Sequence, residues 1–354
     1  MLDYLDKFLY NYTILTGKSK LNQGGFYYFV KIFAIIAEYN PFHSGHLYHL
    51  EETRKFADRI VVVMSGSFTQ RGDAAIDNKY RRAANAIFAG ADMVIELPTL
   101  YAVSPADKFA YGALKTLSTM NIDYLSFGSE SGNINSLLKA VDILDNESDE
   151  LRELIRNAIK KGNPLAKAKA DAFSKIDNHI ELKPNNILAL EYIRAIKKLN
   201  RNIIPFTIKR MGSDYNDDYK EGTFLSATAL RNAIYNDEYY LIRDYIPYTV
   251  RYNINTVSNL QKLILYKLNT MTTDELKKIF DVKEGLQNRI INGLKFSDYE
   301  VFMMAVKTKR YTMARLKRIF IAALLNITKE FYKESLDAPP YANVYEATEK
   351  TCSL

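Results

Sequence analysis

With 354 residues, 47% of them apolar, the chain is long enough for two domains and too apolar to be disordered throughout. No apolar run reaches the roughly 18 residues of a membrane span, and the single cysteine, Cys352, excludes a disulfide scaffold or a cysteine-based zinc site. The net charge of +7 favours a polyanionic partner, and the lone thiol suits a reducing compartment, so a cytoplasmic protein is expected.

The first thirty residues are polar, aromatic and aperiodic. They lack the basic cluster and apolar stretch of a signal peptide. They are expected to lie outside the fold as a non-native or disordered extension, with Val30 as an alternative start. Residues 31–38 (KIFAIIAE) form a nearly continuous apolar run, the pattern of a strand buried on both faces. A helix is expected over 47–57, and 59–65 (RIVVVMS) is a β-branched strand. Asp77 is placed to cap a helix that runs to Ala89 and ends at Gly90. Residues 92–97 form a third strand, closed by Pro98. Ser104 is placed to cap a helix through about Met120, with Pro105 at its first position. A fourth strand covers 122–127, ahead of Gly128-Ser129-Glu130. Residues 135–175 read as a charged, mostly helical insertion, and 184–199 as another helix. A fifth strand covers 203–209, where Pro205 implies a sheet edge. Beyond about Asn236 the strand signal fades, and 237–335 read as amphipathic helices with basic polar faces.

Strand–helix alternation with short connections specifies an α/β fold with a doubly wound parallel sheet. The expected units are a sheet domain over 31–236, a helical domain over 237–335 and a tail over 336–354. Ligands of such sheets bind outside the carboxyl ends of the strands, which draws attention to loops 38–46, 65–73, 98–104 and 128–132.

Three of the chain's four histidines, His43, His46 and His49, follow the first strand. Pro41 breaks that strand, and Gly45 permits close backbone approach at the start of the next helix. A helix N-terminus carries free N–H groups and a positive dipole end, so it attracts anions. Imidazoles three apart there can donate to phosphate oxygens and stabilise charge that builds up during attack at phosphorus. Two other readings use the same residues: a zinc site built from the three imidazoles, and plain capping and packing. On a helix, offsets of 0, 3 and 6 spread the three rings too far for one metal.

His43-Ser44-Gly45-His46 after a buried strand resembles the HxGH signature of the HIGH-type nucleotidyltransferase superfamily. Phe224-Leu225-Ser226-Ala227-Thr228-Ala229-Leu230-Arg231 is similar to the late S-x-T-x-x-R segment of its adenylyltransferases. The likeness extends further in chain order. Residues 38–49, Met64-Ser65-Gly66 through Gln70-Arg71-Gly72, Ile95-Glu96-Leu97-Pro98, Phe127-Gly128-Ser129-Glu130, Pro184-Asn185-Asn186-Ile187-Leu188, Ile208-Lys209-Arg210 and 226–231 occur as in the bacterial tRNA(Met) cytidine acetate ligase family. Lys307-Thr308-Lys309-Arg310-Tyr311-Thr312 also resembles that family, so the likeness spans about 31–335.

This resemblance implies a Rossmann-like sheet of the HIGH nucleotidyltransferase type with a helical C-terminal domain. It implies a reaction of ATP and acetate to acetyl-adenylate, then acetyl transfer to N4 of the wobble cytidine of elongator tRNA(Met). Ile36, Ala37, Glu38, Tyr39, Asn40, Pro41, Phe42, His43, Ser44, Gly45, His46, Leu47, Tyr48 and His49 would bind ATP. Gly128, Asn185 and Arg210 would join them, with Ser226, Thr228 and Arg231 at the triphosphate. His43 and His46 would be catalytic. Mg2+ is expected to accompany ATP. Gly128 can instead be a plain turn, Asn185 a helix cap with Asn186 in its place at the nucleotide, and Arg210 a surface charge. Arg71 either faces the triphosphate or tRNA, or pairs with Asp73 or Asp77.

For tRNA, Lys307, Lys309, Arg310, Arg315, Lys317 and Arg318 place six positive charges in twelve residues around Tyr311, suiting phosphate contact and base stacking. The same segment can be a solvated basic face. Ala338-Pro339-Pro340-Tyr341-Ala342 begins as the family's late segment does, but residues 343–354 do not continue it, so a truncated or frameshifted tail is expected. Alternative functions are a nucleotidyltransferase of the same superfamily acting on a small phosphorylated acceptor, and an RNA-binding protein with a degenerate nucleotide site.

Overall fold

The computed structural model describes residues 19–21, 27–163, 165–177, 179–199, 202–210, 225–247, 255, 257–283 and 285–349. Phe224 and Cys352 lie outside the described residues. Two short strands, β1 (Ser19–Leu21) and β2 (Tyr27–Phe29), pair antiparallel with each other and do not join the main sheet. That sheet contains β3 (Ile32–Ala37), β4 (Arg59–Ser65), β5 (Met93–Leu97), β6 (Tyr124–Ser129), β7 (Ile204–Lys209) and β8 (Val344–Ala347). Their order is β7-β6-β3-β4-β5-β8, with β8 alone antiparallel to its neighbour.

The helices within the sheet part are α1 (Ser44–Arg54), α2 (Lys79–Phe88), α3 (Thr99–Ala102), α4 (Ala106–Leu117), α5 (Ile134–Asp145), α6 (Asp149–Lys160), α7 (Leu165–Ile176) and α8 (Pro184–Lys198). After β7 come α9 (Ala227–Tyr235), α10 (Tyr239–Ile242), α11 (Val257–Asn269), α12 (Thr273–Lys278), α13 (Leu286–Gly293), α14 (Tyr299–Val306), α15 (Met313–Leu324) and α16 (Lys329–Asp337). None of the helices is long and apolar enough to cross a membrane among the described residues.

The five parallel strands have the winding order of a dinucleotide-binding sheet. The chain leaves β3 in one direction for β4 and β5, then returns to the other side for β6 and β7. The crevice at such a reversal, between β3 and β6, is where ligands of these folds sit. Strand pleat sorts the core onto two faces. Phe33, Ile35, Ile60, Val62, Met64 and Val94 pack with Leu50 of α1 and with Ala83 and Ala86 of α2. Ile32, Ala34, Val61, Val63, Ile95 and Leu97 face the other way. There they share one apolar cluster with α4, α8 and the helices after residue 257, including Ile264, Leu268, Phe302 and Phe320. The helical part is thus joined to the sheet by continuous apolar packing.

Side-chain hydrogen bonds set several boundaries differently from the sequence reading. The first helix begins at Ser44, three residues early, because the His43 side chain serves as its cap. Asn78 caps α2 and accepts from Arg81 N–H, whereas Asp77 accepts from Asn78 N–H. Ser104 does not cap α4. Its hydroxyl donates back to Leu100 O at 2.7 Å, and Pro105 takes the cap position without a side-chain bond. Pro205 does lie on an edge strand, as its missing N–H requires.

The tail supplies β8, which covers the far edge of the sheet. Met93 pairs with Ala347, Val94 with Glu346 and Ile95 with Val344. Glu96 N–H donates to Asn343 O at 2.8 Å and Thr348 N–H to Asp92 O at 2.9 Å. A chain ending at Ala342 would leave β5 with an open row of polar backbone groups. Its expected loss is on the order of 2 kcal/mol of unfolding free energy, with a greater tendency to aggregate. Urea denaturation of the shortened and longer chains would measure it.

Candidate active site

The ends of β3 and β4 are braced by one buried cation. Arg82 on α2 is 1% exposed and donates to the carbonyls of Asp77 at 3.1 Å, Glu38 at 2.6 Å and Ser65 at 3.0 Å, and also to Gly66 O. Burial draws its pKa down to about 10, so it stays charged at neutral pH. Four carbonyls from three segments thereby converge on one guanidinium, which fixes where the chain leaves the sheet.

Past that brace the chain turns sharply. Tyr39 adopts φ of 48°, a left-handed conformation unusual for a bulky residue. Asn40 is buried; its Oδ1 accepts from Ile76 N–H at 2.7 Å and its carbonyl accepts from Arg231 Nη1 at 2.7 Å. His43 follows as the cap of α1. Its Nδ1 accepts from Gly45 N–H at 3.1 Å, so the neutral ring carries its proton on Nε2. His46 stacks on His43 with ring centroids 3.7 Å apart and planes 28° apart. The edges of Tyr39 and Phe42 border His46, with centroids at 4.9 and 5.7 Å. His46 Nδ1 is buried and has no hydrogen-bond partner among the described residues. His49, one turn on, is held through Nε2 by Ser126 Oγ at 2.9 Å, and Ser126 is itself bonded to Thr53.

All three imidazoles are held neutral. Burial, followed by the charges of Arg210 and Arg231, pushes His43 down to about 3. Burial pulls His46 well below its usual value, with His43, Arg210 and His49 adding to the effect. Burial and then Arg210 take His49 to about 4. The field of Arg210 therefore reaches every ring of the cluster. Glu38 sits at the same end of the sheet. Burial raises its pKa, while the Gln70 N–H and the charges of Arg231, Arg71 and Arg82 oppose that rise.

The helix end differs from the expectation in one respect. The N–H groups expected to be free are engaged: Ser44 N–H donates to Tyr245 O at 2.8 Å, and Gly45 N–H is taken by His43. What the site offers an anion is the dipole of α1, ring N–H groups and two guanidiniums.

Gly128 is the penultimate residue of β6 and lies beneath Arg210; a Cβ there would lie 3.0 Å from Arg210 Cγ. The glycine is therefore set by a side chain crossing over it, and not by a positive φ. Asn185 and Asn186 open α8 and divide their tasks. The Glu130 carboxylate accepts from Asn185 N and Nδ2 at 3.1 and 2.7 Å, and from Asn186 N at 2.6 Å. The Oδ1 of the buried Asn186 accepts in return from Glu130 N–H at 3.0 Å and from Ser131 N–H at 3.3 Å. Asn186 thus holds the loop after β6, and Asn185 is the more accessible of the two. On α9, Ser226 is the cap, accepting from Ala229 N–H at 3.2 Å. Arg231 donates to Thr228 Oγ1 at 3.0 Å as well as to Asn40. The late segment is thereby tied to the loop that follows β3.

The basic segment does not form one face. Lys307, Lys309 and Arg310 are exposed. Arg315 grips Asp281 through Nε at 2.8 Å and Nη2 at 2.7 Å. Lys317 pairs with Asp73 at 2.7 Å, and Arg318 donates to Gln70 O at 3.1 Å. Tyr311 is buried, with Arg315 4.6 Å from its ring, so it offers no open face to a base. Sequence reasoning passed over Arg82, Ser126 and Thr53, and it quoted Glu130 within a motif without giving it a role. Arg82 left a trace as a charge among the buried alanines of α2.

A family model for HIGH nucleotidyl transferases matches residues 30–353. The chain is 40% identical over 338 residues to a tRNA(Met) cytidine acetate ligase of Thermoanaerobacter sp. (strain X514), covering 90% of this chain and 84% of that protein. It is 42% identical over 335 residues to the tRNA(Met) cytidine acetate ligase of Caldicellulosiruptor saccharolyticus, covering 89% and 82%. A crystal structure of Thermotoga maritima TmcAL bound with alpha-thio ATP superposes with a TM-score of 0.79 at 32% identity, covering 90% of this chain and 81% of that one. Its apo form superposes with a TM-score of 0.81 at 33% identity. With its imidazole pair at the reversal point of a parallel sheet, and with likeness over nine-tenths of its length, the chain belongs to the tRNA(Met) cytidine acetate ligase family of HIGH nucleotidyl transferases.

Proposed function

We propose that this protein activates acetate with ATP and transfers the acetyl group to N4 of the wobble cytidine of elongator tRNA(Met). The observation that carries the reading is the stacked, neutral His43–His46 pair at the start of α1, within the field of Arg210 and beside Arg231. In the first step an acetate oxygen attacks the α-phosphorus and pyrophosphate leaves. Negative charge grows on the α-phosphate oxygens as the new P–O bond forms. His43, with its proton on Nε2, is a ready donor to that charge, and His46 is packed against it for the same task. Neutral rings serve here as hydrogen-bond donors, while Arg210 and Arg231 supply the full positive charges at the triphosphate. The nucleotide lies along residues 36–49, against Gly128 and Asn185, with Ser226 and Thr228 near its phosphates.

Magnesium enters with the triphosphate. No group of three His, Cys, Asp or Glu among the described residues could cage a metal, and Mg2+ bound to nucleotide phosphates keeps most of its water. In the second step the exocyclic amine of cytidine attacks the acetyl carbonyl, AMP leaves, and the amine loses a proton. Lys307, Lys309 and Arg310 contact the RNA backbone. A protein acting on tRNA belongs in the cytoplasm.

Acetate-dependent ATP–pyrophosphate exchange is the direct test. It should proceed without tRNA and fall on the order of 100- to 1,000-fold in His46→Ala. Exchange that ignores acetate would remove the activation step. Replacing Lys309 and Arg310 by Ala should raise the KM for tRNA and reduce the salt slope of binding by roughly 0.7 to 1 for each cation removed from a phosphate. The protonation states also predict a stability profile. Unfolded imidazoles take protons near pH 6.5, but folded His43 and His49 resist to about 3 and 4. Below pH 6.5 the unfolded state therefore binds more protons, and stability falls as pH drops. At pH 5 the His43 share is about 2 kcal/mol, and thermal melts between pH 7.5 and 5 should show a shallower slope for His43→Asn.

A further inference from the structure

Segment 66–77 lies between the candidate site and α15 and is bonded to both. Toward the site, Gln70 N–H donates to Glu38 Oε1 at 2.6 Å, and Ile76 N–H donates to Asn40 Oδ1 at 2.7 Å. Toward α15, Lys317 Nζ meets Asp73 Oδ1 at 2.7 Å, and Arg318 Nη1 reaches Gln70 O at 3.1 Å. The N–H and the carbonyl of Gln70 thus serve opposite partners. The turn between them is tight. Thr69 N–H donates to Asp73 O at 3.0 Å and Gly72 N–H to Thr69 O at 2.9 Å. Gly72 has φ of 78°, and a Cβ there would come within 2.4 Å of the Arg318 backbone nitrogen, so turn and helix touch backbone to backbone.

We propose that Lys317 and Arg318 are positioning residues for adenylate formation, with no part in gripping RNA. By docking the 69–73 turn onto α15 they hold Glu38 through Gln70, and Asn40 through Ile76 farther along the same segment, at the end of β3. Through the Asn40 carbonyl they also hold Arg231, the cation assigned to the triphosphate. The inference rests on the reading that this site makes an acyl-adenylate. It gives the helical part a role in the first chemical step, before any tRNA arrives. With Arg315 held by Asp281, three of the six charges in the basic segment then act inward, and the RNA-facing role falls to the exposed Lys307, Lys309 and Arg310.

The test is ATP–pyrophosphate exchange with acetate and without tRNA, run alongside thermal melts. Lys317→Met and Asp73→Asn break the same pair from opposite sides, so a folding failure in one leaves the other informative. Each should lower kcat for exchange about tenfold while shifting KM for ATP less than about threefold. The reversed pair Asp73→Lys with Lys317→Asp should recover most of the rate, and Arg318→Lys, which keeps a donor toward Gln70, should lose less than Arg318→Met. Wild-type kcat in both single variants would overturn the proposal, whether tRNA binding weakens or not. A lowered melting temperature with unchanged kcat would overturn it as well, since the pair would then only stabilise the fold. Exchange in the wild type that needs no acetate would refute acetate activation, yet the ranking of the variants would still test the positioning role.

Discussion

The site depends on keeping imidazoles neutral beside guanidiniums. Arg210 and Arg231 make the region attractive to phosphate, and the same charges oppose protonation of His43, as Arg210 does for His46 and His49. Burial acts in the same direction and is the larger cause at every ring. A charged imidazolium pair at 3.7 Å would repel itself in a medium that screens poorly. Neutral rings can stack, and stacking holds one N–H donor where the His43 cap bond directs it. Geometry and protonation are therefore linked, since a pair at this separation does not tolerate charge on both rings.

Around this pair the fold has few ways to slip. Arg82 gathers carbonyls from the ends of β3 and β4 and from the start of α2. Arg231 joins the late helix to the loop after β3, and Asn186 with Glu130 locks the loop after β6 to the start of α8. Each link joins segments far apart in sequence, and each ends on a backbone group. Backbone contacts of this kind fix the course of the chain near a ligand more firmly than surface ion pairs, whose net contribution is small. The helical part then closes one side of the assembly through shared apolar packing and through the 69–73 turn.

Local pattern was legible wherever one physical cause dominated. Continuous apolar runs announced β3 and β4, because a strand buried on both faces has no polar positions to spare. The parallel, doubly wound character of the sheet followed from alternation of strand and helix, and Pro205 marked an edge because it lacks a donor. Boundaries set by competition between neighbours were read less well. Asn78 took the cap from Asp77, and Ser104 closed the preceding turn and did not open the next helix. β8 was passed over because four residues, with only Tyr345 and Ala347 turned partly inward, are too few to show a period.

The sequence by itself determined the parallel sheet, the imidazole-bearing loop at its rim and the family whose motifs lie in order along the chain. These rest on hydrophobic period, on turn chemistry and on residue types at short spacing, all of which are local. Tertiary structure alone decided the rest: which nitrogen of His43 holds the proton, that Asn186 locks a loop while Asn185 stays more accessible, and that half of a basic stretch turns inward. The last two depend on partners brought together from tens to hundreds of residues away, and the first on a cap bond to Gly45 that exists only once the helix has formed. A charge at a given position cannot reveal its direction until the fold has placed a carboxylate, a carbonyl or solvent in front of it.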